Sequence, residues 1–235
     1  MNASTNAVAN ERADSEAPAS LLEGSALEKL AARVVLSLWF PSVLVVCAYL
    51  LGGHILTLPS PTGDSVRLTS AVATMRGHGA STADRWIVLH VLYEDCRCSA
   101  RVLDHLLSRR AEPGETERIV LVSTRWGAEP SEERAEDGAL AARIEAAGFE
   151  LERTSPEALE SRYGIQAAPL LVVSDPTGRV RYVGGYTDRK QSVAIRDREI
   201  LHDLRQGGSV EALPVFGCAV SKTLGESVDP LGLRR

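Results

Sequence analysis

Residues 162–185, RYGIQAAPLLVVSDPTGRVRYVGG, contain the strongest structural signals in the chain. Just upstream, Ser155 and Pro156 are typical of a helix start and predict a helix over 155–164. Two apolar runs then flank the sequence Asp-Pro-Thr-Gly, which favours a tight turn. The stretch therefore predicts a helix followed by a hairpin of two buried strands over 169–185.

The rest of the chain predicts strands and helices in alternation. The continuous apolar run RWIVLHVLY (85–93) indicates a strand buried on both faces. Apolar spacing then predicts a helix over 99–110, with Val102, Leu103, Leu106 and Leu107 on one face. The remaining predicted elements are a strand over 118–124, a helix over 131–148, a short strand over 149–154 and a helix over 194–208. An alternation of strands and helices followed by a late hairpin predicts an α/β fold, with a mixed central sheet and flanking helices.

Composition and charge narrow the function classes. The 235 residues include 44% hydrophobic and 24% charged side chains, as in globular proteins. A net charge of −5 and a pI near 5.6 argue against a nucleic-acid partner. The 4 cysteines are too few for a disulfide scaffold and too scattered for a four-cysteine zinc ribbon.

The N-terminal region predicts a membrane anchor. Residues 1–30 are rich in Ala, Ser, Asn and Glu and are predicted to be a disordered cytoplasmic tail. No charged residue occurs between Arg33 and Asp64, and the apolar core 34–53 is long enough to cross a bilayer. The sequence therefore predicts a transmembrane helix over 31–56.

A cleaved signal peptide is the competing interpretation, but the preceding polar region is long and no Ala-x-Ala pattern follows the apolar run. Lys29 and Arg33 precede the span, so the positive-inside rule predicts a cytoplasmic N-terminus and an extracytoplasmic C-terminal domain in an inner or plasma membrane. Cys47 would be a membrane-buried thiol without chemistry.

After the transmembrane helix, the predicted domain organisation of the chain continues with a linker over 57–70, a domain over 71–210 and an extension over 211–235 that carries Cys218.

The stretch YEDCRCSA (93–100) places Cys96 and Cys98 at the predicted start of helix 99–110. Unpaired backbone N–H groups at a helix start stabilise an anion and therefore favour a thiolate there. The thiolate is the attacking species in thiol–disulfide exchange. Arg97 adds positive charge, whereas the two acidic residues before Cys96 oppose it. The direction of the net pKa shift of Cys96 therefore stays open from the sequence, and the Cys-x-Cys pair alone does not decide its chemistry.

The order of elements, the strand leading into Cys96 and the RYGIQAAPLL segment together resemble the thioredoxin-like superfamily. Over roughly 85–206 the chain is most similar to membrane-tethered TlpA-like redoxins, and more loosely to RedB-like redoxins. The resemblance implies a thioredoxin-like fold behind one transmembrane helix. It also implies an extracytoplasmic thiol–disulfide oxidoreductase with protein thiols or disulfides as substrates.

The resemblance also implies roles for Pro169 and His90. The Ala168–Pro169 bond would be cis and would turn the backbone of residue 168 towards the cysteines. There it could pair with a substrate chain as an added strand. His90, six residues before Cys96, stands where redoxins place a buried polar group, so it could move protons. A hydrogen-bonded core histidine is the alternative interpretation.

The motif departs from the family pattern, because it is Cys-x-Cys rather than Cys-x-x-Cys. If Cys96 is the nucleophile, the resolving position falls on Ser99 and Cys98 is an extra thiol. If Cys98 resolves, the disulfide closes a tight ring and is easily reduced. Cys218 is a third candidate, because the segment after the last helix is long enough to return to the site. The alternative for Cys218 is a small buried apolar residue.

Metal binding is the alternative function. Three gathered thiols suit Cu(I), zinc or an iron–sulfur centre. No fourth ligand is obvious among the histidines, which are His54, His78, His90, His105 and His202. The redox interpretation needs neither a metal nor a cofactor, and copper or an iron–sulfur cluster enters only with the alternative. A tethered scaffold without redox activity is a third class.

Overall fold

The computed structural model describes residues 25–55, 57–77, 84–122, 135–190 and 192–229. The chain divides into two compact units, with the boundary between Gly52 and Gly53. Most of the predicted disordered tail and the predicted start of helix 131–148 lie outside the described residues.

The N-terminal unit contains a single described helix, α1 (Ala26–Ile55). A reciprocal capping pair starts it, because Ser25 N–H donates to Glu28 Oε2 at 2.7 Å and Glu28 N–H donates to Ser25 Oγ at 3.2 Å. The helix therefore begins earlier than the predicted residue 31. Within its segment Ala26–Tyr49 the most apolar 18-residue window has a mean hydropathy of 2.0, and the segment is long and apolar enough to cross a membrane.

The second unit is built on a mixed five-stranded sheet with the order β3-β2-β1-β5-β6. The strands are β1 (Ile87–Tyr93), β2 (Thr116–Val122), β3 (Glu150–Thr154), β5 (Leu170–Ser174) and β6 (Val180–Gly184). The first three run parallel, whereas β5 is antiparallel to β1 and to β6. The predicted late hairpin thus forms one side of the sheet.

Helices cover both faces of this sheet. They are α2 (Val66–Gly77), α3 (Arg97–Arg109), α4 (Ala135–Ala146), α5 (Pro156–Tyr163), α6 (Asp197–Arg205) and α7 (Lys222–Val228). Because strand side chains alternate, Leu89 and Val91 join the core cluster containing α2 and α5. Val88 and Leu92 join the opposite cluster, which contains α3, α4 and α6. The predicted fold class, a mixed sheet between helices, is confirmed.

The local signals that predicted these elements are visible in the structure. Ser155 caps α5 by accepting a hydrogen bond from Ala158 N–H at 3.2 Å. Asp175 Oδ1 closes the hairpin turn by accepting from Thr177 N–H at 3.0 Å and Arg179 N–H at 3.1 Å. Helix α2 was not predicted, and it begins at Val66 within the predicted linker.

The C-terminal extension is part of the domain, so the predicted domain end at residue 210 is wrong. Strand β7 (Cys218–Ala219) pairs antiparallel with β4 (Ala167–Ala168) in a second, two-stranded sheet. Val220 N–H donates to Gln166 O at 2.7 Å, and Val220 itself is buried in the core. Backbone hydrogen bonds and apolar burial together hold this segment in place.

Gly217 permits the close approach of β7 to β4. A Cβ at this position would lie 1.9 Å from Ala168 O and 2.6 Å from Pro169 Cδ. Any side chain here would push the two strands apart, because neither the carbonyl nor the proline ring can move independently of the backbone.

We expect Gly217→Ala to destabilise the domain by about 1–3 kcal/mol, the usual cost of overpacking. Hydrogen exchange of the β7 amides should accelerate. The control is Gly138→Ala in α4, where a Cβ meets nothing within 4 Å. That change should be neutral or stabilising by up to about 1 kcal/mol. Equal urea-unfolding free energies for the two variants would show that Gly217 is not needed for the pairing.

Candidate active site

Cys96 lies at the start of α3, beside the Ala168–Pro169 bond. It is the N-cap residue, with φ −109° and ψ 117°, and its side chain is directed inward, so the residue is only 1% exposed. Its Sγ lies 3.9 Å from Ala168 O, and the Ala168–Pro169 peptide bond is cis. The cis geometry implied by the resemblance is confirmed, as is the predicted proximity of Cys96 to it.

Two further thiols join Cys96. Cys98 is in the first turn of α3, and Cys218 is brought in by β7, whose register places it opposite Ala168. The side chains of Cys98 and Cys218 are the largest influences on the pKa of Cys96, so the three cysteines form one cluster. All four cysteines of the chain lie within the described ranges and are free thiols.

Hydrogen bonding concentrates negative charge on Cys96. Hydrogen bonds from Cys218 and then Cys98 lower the pKa of Cys96 far below its usual range, and they outweigh the opposing effect of burial. The backbone N–H groups of Ser99 and Cys98 at the helix start lower it further. Interaction with Cys96 and burial raise the pKa of both Cys98 and Cys218. Within the cluster, negative charge is therefore favoured on Cys96 over Cys98 and Cys218.

The edge of β4 at residue 168, where the resemblance implies that a substrate chain would pair, is occupied in this structure. The edge of β4 is already paired with β7, the chain's own C-terminal strand. A polypeptide substrate would have to displace Cys218 to add a strand there.

Ser99 does not replace a resolving cysteine. It is buried, and its Oγ accepts a hydrogen bond from Tyr93 N–H at 3.1 Å. This contact ties the start of α3 to the end of β1. The residue therefore has a structural role at the position where the family motif has its second cysteine.

Cys98 lines an open pocket of about 250 Å³ beside the cluster. The pocket walls combine apolar and cationic side chains, and the lining comprises Arg97, Cys98, Arg101, Val102, Pro169, Tyr186, Thr187, Lys190, Ser192, Ile195 and Phe216. Cys96 is not among them. The half-buried Cys98 is thus the thiol that a molecule in this pocket meets first.

His90 is a fully buried residue of β1, and both of its ring nitrogens have partners. Nδ1 lies 3.0 Å from Tyr186 Oη, and Nε2 lies 3.0 Å from Glu117 Oε2. This arrangement leaves neither nitrogen for a cysteine and matches the core-histidine interpretation. Because Tyr186 also lines the pocket, His90 reaches the site through that tyrosine.

An ion network surrounds His90. Arg109 Nη1 lies 3.1 Å from Glu117 Oε1, and Arg109 Nε lies 2.7 Å from Asp197 Oδ2. Although burial opposes it, hydrogen bonding from His90 and Arg109 lowers the pKa of Glu117 to about 2. The sequence analysis missed these residues. A glutamate inside an apolar strand was the available signal for Glu117, whereas nothing local identified Asp197.

Among the described residues, no histidine completes a metal site with the cysteines. Across the described ranges, no group of three or more His, Cys, Asp or Glu side chains is arranged to hold a metal ion. Within that part of the chain, His90 and His105 bind carboxylates instead, with His105 Nε2 lying 2.9 Å from Asp197 Oδ1.

We expect Arg109→Met to destabilise the domain by about 3–5 kcal/mol, because it leaves two carboxylates buried without their guanidinium partner. The control is Arg198→Met, which removes a surface ion pair of 2.8 Å between Arg198 and Glu112 and should change stability by about 1 kcal/mol or less. Urea unfolding of the full chain measures both. Equal losses would mean that the buried network does not determine stability.

We expect Cys218→Ala to raise the pKa of Cys96 more than Cys98→Ala does, because Cys218 provides the larger stabilising hydrogen bond. The measurement is a pH titration of thiolate absorbance in the ultraviolet, made in a Cys47→Ser background. The thiolate signal should vanish at higher pH in Cys218→Ala than in Cys98→Ala. The opposite order would mean that Cys98 is the main donor to Cys96.

No protein-family model matches the chain, and no curated protein matches it. Several solved structures are similar to it. A hypothetical protein from Sinorhizobium meliloti 1021 is 18% identical over 60% of this chain and 81% of its own, with a TM-score of 0.46. A putative thioredoxin from Neisseria meningitidis is 10% identical over 55% and 77%, with a TM-score of 0.38.

A thiol-disulfide isomerase from Corynebacterium glutamicum is 16% identical over 56% of this chain and 85% of its own, with a TM-score of 0.36. The architecture of the present domain is clear from its own features. They are a sheet of order β3-β2-β1-β5-β6, a cysteine at the start of the helix after β1, and a cis-proline before β5. By these features the domain has the thioredoxin-like fold.

Proposed function

We propose that this protein is a membrane-anchored, extracytoplasmic thiol–disulfide oxidoreductase whose centre consists of Cys96, Cys98 and Cys218. The observation that carries the proposal is the gathering of two free thiols, Cys98 and Cys218, around Cys96 beside the cis Ala168–Pro169 bond, with the pKa of Cys96 strongly lowered. A thiolate at neutral pH is the species that attacks disulfides, and a neighbouring thiol can then resolve the mixed disulfide.

Cys98 is the thiol that meets the substrate in this mechanism, because it lines the pocket while Cys96 is buried. Proton transfer from Cys98 to the Cys96 thiolate generates a Cys98 thiolate. This thiolate attacks one sulfur of a substrate disulfide, a bond forms between Cys98 and that sulfur, and the disulfide bond breaks. The departing substrate thiolate takes up the proton held by Cys96.

Cys96 then resolves the mixed disulfide. Its thiolate attacks Cys98 Sγ and expels the second substrate thiolate, and Cys218 next attacks Cys96 Sγ and frees Cys98. The two substrate thiolates take the protons that Cys98 and Cys218 gave up. The substrate gains two electrons, and Cys96 and Cys218 lose them in forming a disulfide. The reverse sequence oxidises a substrate dithiol.

The stable oxidised bond in this proposal joins Cys96 to Cys218 rather than to Cys98. A disulfide between residues i and i+2 closes a tight, strained ring, which disfavours a lasting bond within Cys-x-Cys. Cys218 instead approaches from β7, a separate element whose register places it opposite Ala168, next to Cys96.

The apolar helix α1 supports the anchoring part of the proposal. Lys29 and Arg33 lie at its N-terminal end, which favours a cytoplasmic N-terminus. The thiol domain would then face an oxidising compartment, where thiol–disulfide exchange is used to form and rearrange disulfides.

The test is a single-turnover reaction of the fully reduced chain with a small disulfide, followed by acid quenching and mass-spectrometric mapping. We expect a Cys96–Cys218 disulfide, with Cys98 recovered as a thiol. The Cys96→Ser variant should form no internal disulfide, whereas Cys47→Ser, the matched control in α1, should react like the natural sequence. Unchanged internal oxidation in Cys96→Ser would overturn the proposal.

Thiols are ligands of soft metals such as Cu(I), so metal binding is the alternative to the redox proposal, although the three cysteines as described are not arranged to hold an ion. Elemental analysis of protein purified without oxygen separates the two. The oxidoreductase proposal predicts three titratable thiols in the domain and no stoichiometric metal. Stoichiometric copper or iron, lost in Cys96→Ser, would favour the metal-binding alternative.

A further inference from the structure

The chain's own strand β7 occupies the edge of β4 at which an extended substrate chain could pair beside the cysteines. Cys218 pairs with Ala168, Gly217 fits against the same carbonyl, and Leu58 N–H donates to Val215 O at 2.9 Å just before it. Val215 and Val220, on either side of β7, are both buried in the core. Because β7 is anchored on both sides, the edge of β4 is not offered to an extended polypeptide.

The pocket at Cys98 is the other described route to the thiol cluster. Val102, Pro169, Ile195 and Phe216 provide apolar contacts, and Cys98 presents its sulfur among them. Its volume of about 250 Å³ lies just below the usual range for ligand pockets, about 300–1,000 Å³. The space suits one arm of a small molecule rather than a folded protein surface.

The charged residues of the pocket have one sign. Arg97, Arg101 and Lys190 line it, all three are exposed at its rim, and no carboxylate is among its lining residues. Arg101 and Lys190 act on the sulfur electrostatically, because both lower the pKa of Cys98 against the larger raising effects of Cys96 and burial. Asp95, the acidic neighbour of the cluster, raises the pKa of Cys218.

We infer that the substrate of this centre is a small disulfide, or the corresponding thiol, that carries carboxylate groups close to its sulfur. The inference rests on the proposed oxidoreductase function and adds a substrate class to it. The apolar wall takes the carbon chain, the cationic rim takes the carboxylate, and the sulfur is delivered to Cys98.

Electrons and protons balance in this reaction as in any thiol–disulfide exchange. One molecule of the dicarboxylate disulfide accepts two electrons and two protons and leaves as two carboxylate thiols, while Cys96 and Cys218 become a disulfide. The cationic rim favours this class because it attracts the incoming anion and also stabilises the thiolates that form as products.

The experiment compares three small disulfides of similar length and different charge, using the reduced full chain under single-turnover conditions. They are dithiodipropionate, which carries two carboxylates, hydroxyethyl disulfide, which is neutral, and cystamine, which carries two ammonium groups. For each disulfide, the rate of Cys96 oxidation is divided by the rate at which the same disulfide oxidises a neutral dithiol in solution. This normalisation removes differences in intrinsic reactivity between the disulfides. Insulin, as a polypeptide disulfide, is the fourth probe.

We expect the normalised rate to be highest for dithiodipropionate, lower for hydroxyethyl disulfide and lowest for cystamine and insulin. In Arg101→Gln the ratio of the dithiodipropionate rate to the cystamine rate should fall about threefold to tenfold, as for the loss of one charge-assisted contact. The matched control is Arg143→Gln, which makes the same charge change on the exposed side of α4 and should leave the ratio unaltered.

The outcomes separate this inference from the proposed function. If all four disulfides oxidise Cys96 without regard to charge, or if insulin is preferred, the substrate class is wrong while the oxidoreductase function stands. If the ratio of the two rates falls equally in Arg143→Gln, the preference for the anionic disulfide comes from the net charge of the protein rather than from the pocket. This result would also overturn the inference. If none of the four oxidises Cys96, the oxidoreductase function fails and the substrate class fails with it.

Discussion

The antiparallel pairing of β4 with β7 is the constraint on which the site depends. It places Cys218 opposite Ala168, the residue before the cis-proline, and Ala168 O is in turn 3.9 Å from Cys96 Sγ. A two-residue ladder is weak by itself, but buried Val215 and Val220 flank it and Gly217 removes the steric obstacle. Without this pairing the centre would be a bare Cys-x-Cys, whose only possible internal disulfide closes a tight, strained ring. The pairing therefore converts an unusual motif into a cluster of three sulfurs.

Burial and hydrogen bonding act in opposite directions on this cluster, and their balance decides where the charge resides. An isolated thiolate that is only 1% exposed would be costly, because a low-dielectric surrounding disfavours the charged form. Two thiol donors and the N–H groups at the start of α3 reverse that preference for Cys96. The same interactions keep protons on Cys98 and Cys218, whose pKa values rise. A low-pKa thiolate is a weaker nucleophile than its abundance suggests, and the accessible Cys98 becomes the attacking species only when its proton passes to Cys96, a transfer that the raised pKa of Cys98 opposes.

Local patterns predicted the elements that depend on local physics. Continuous apolar runs identified β1 and β5, and the Ser155 cap and the Asp175 turn fixed the helix and hairpin near the cis-proline. The cluster itself needed contacts that no short window contains, because Cys218 is 50 residues beyond Ala168 in the chain. The Arg109 network is of the same kind, since its carboxylates come from β2 and α6. The role of Ser99 was also hidden, because only the structure shows its hydroxyl bound to the end of β1.

The buried network is best understood as the support of the pocket wall rather than as a path for protons. Arginine keeps its proton at any accessible pH, so a relay through Arg109 would be blocked. What the network does control is the position of Tyr186, whose hydroxyl lies 3.0 Å from His90 Nδ1 and 3.4 Å from Leu170 O. His90 is held by Glu117, and Glu117 by Arg109, so each side chain is fixed by the next. A tyrosine fixed in this way keeps one wall of the pocket rigid, and a rigid wall is what allows a small molecule to be positioned against Cys98 without the ordering cost of a mobile loop.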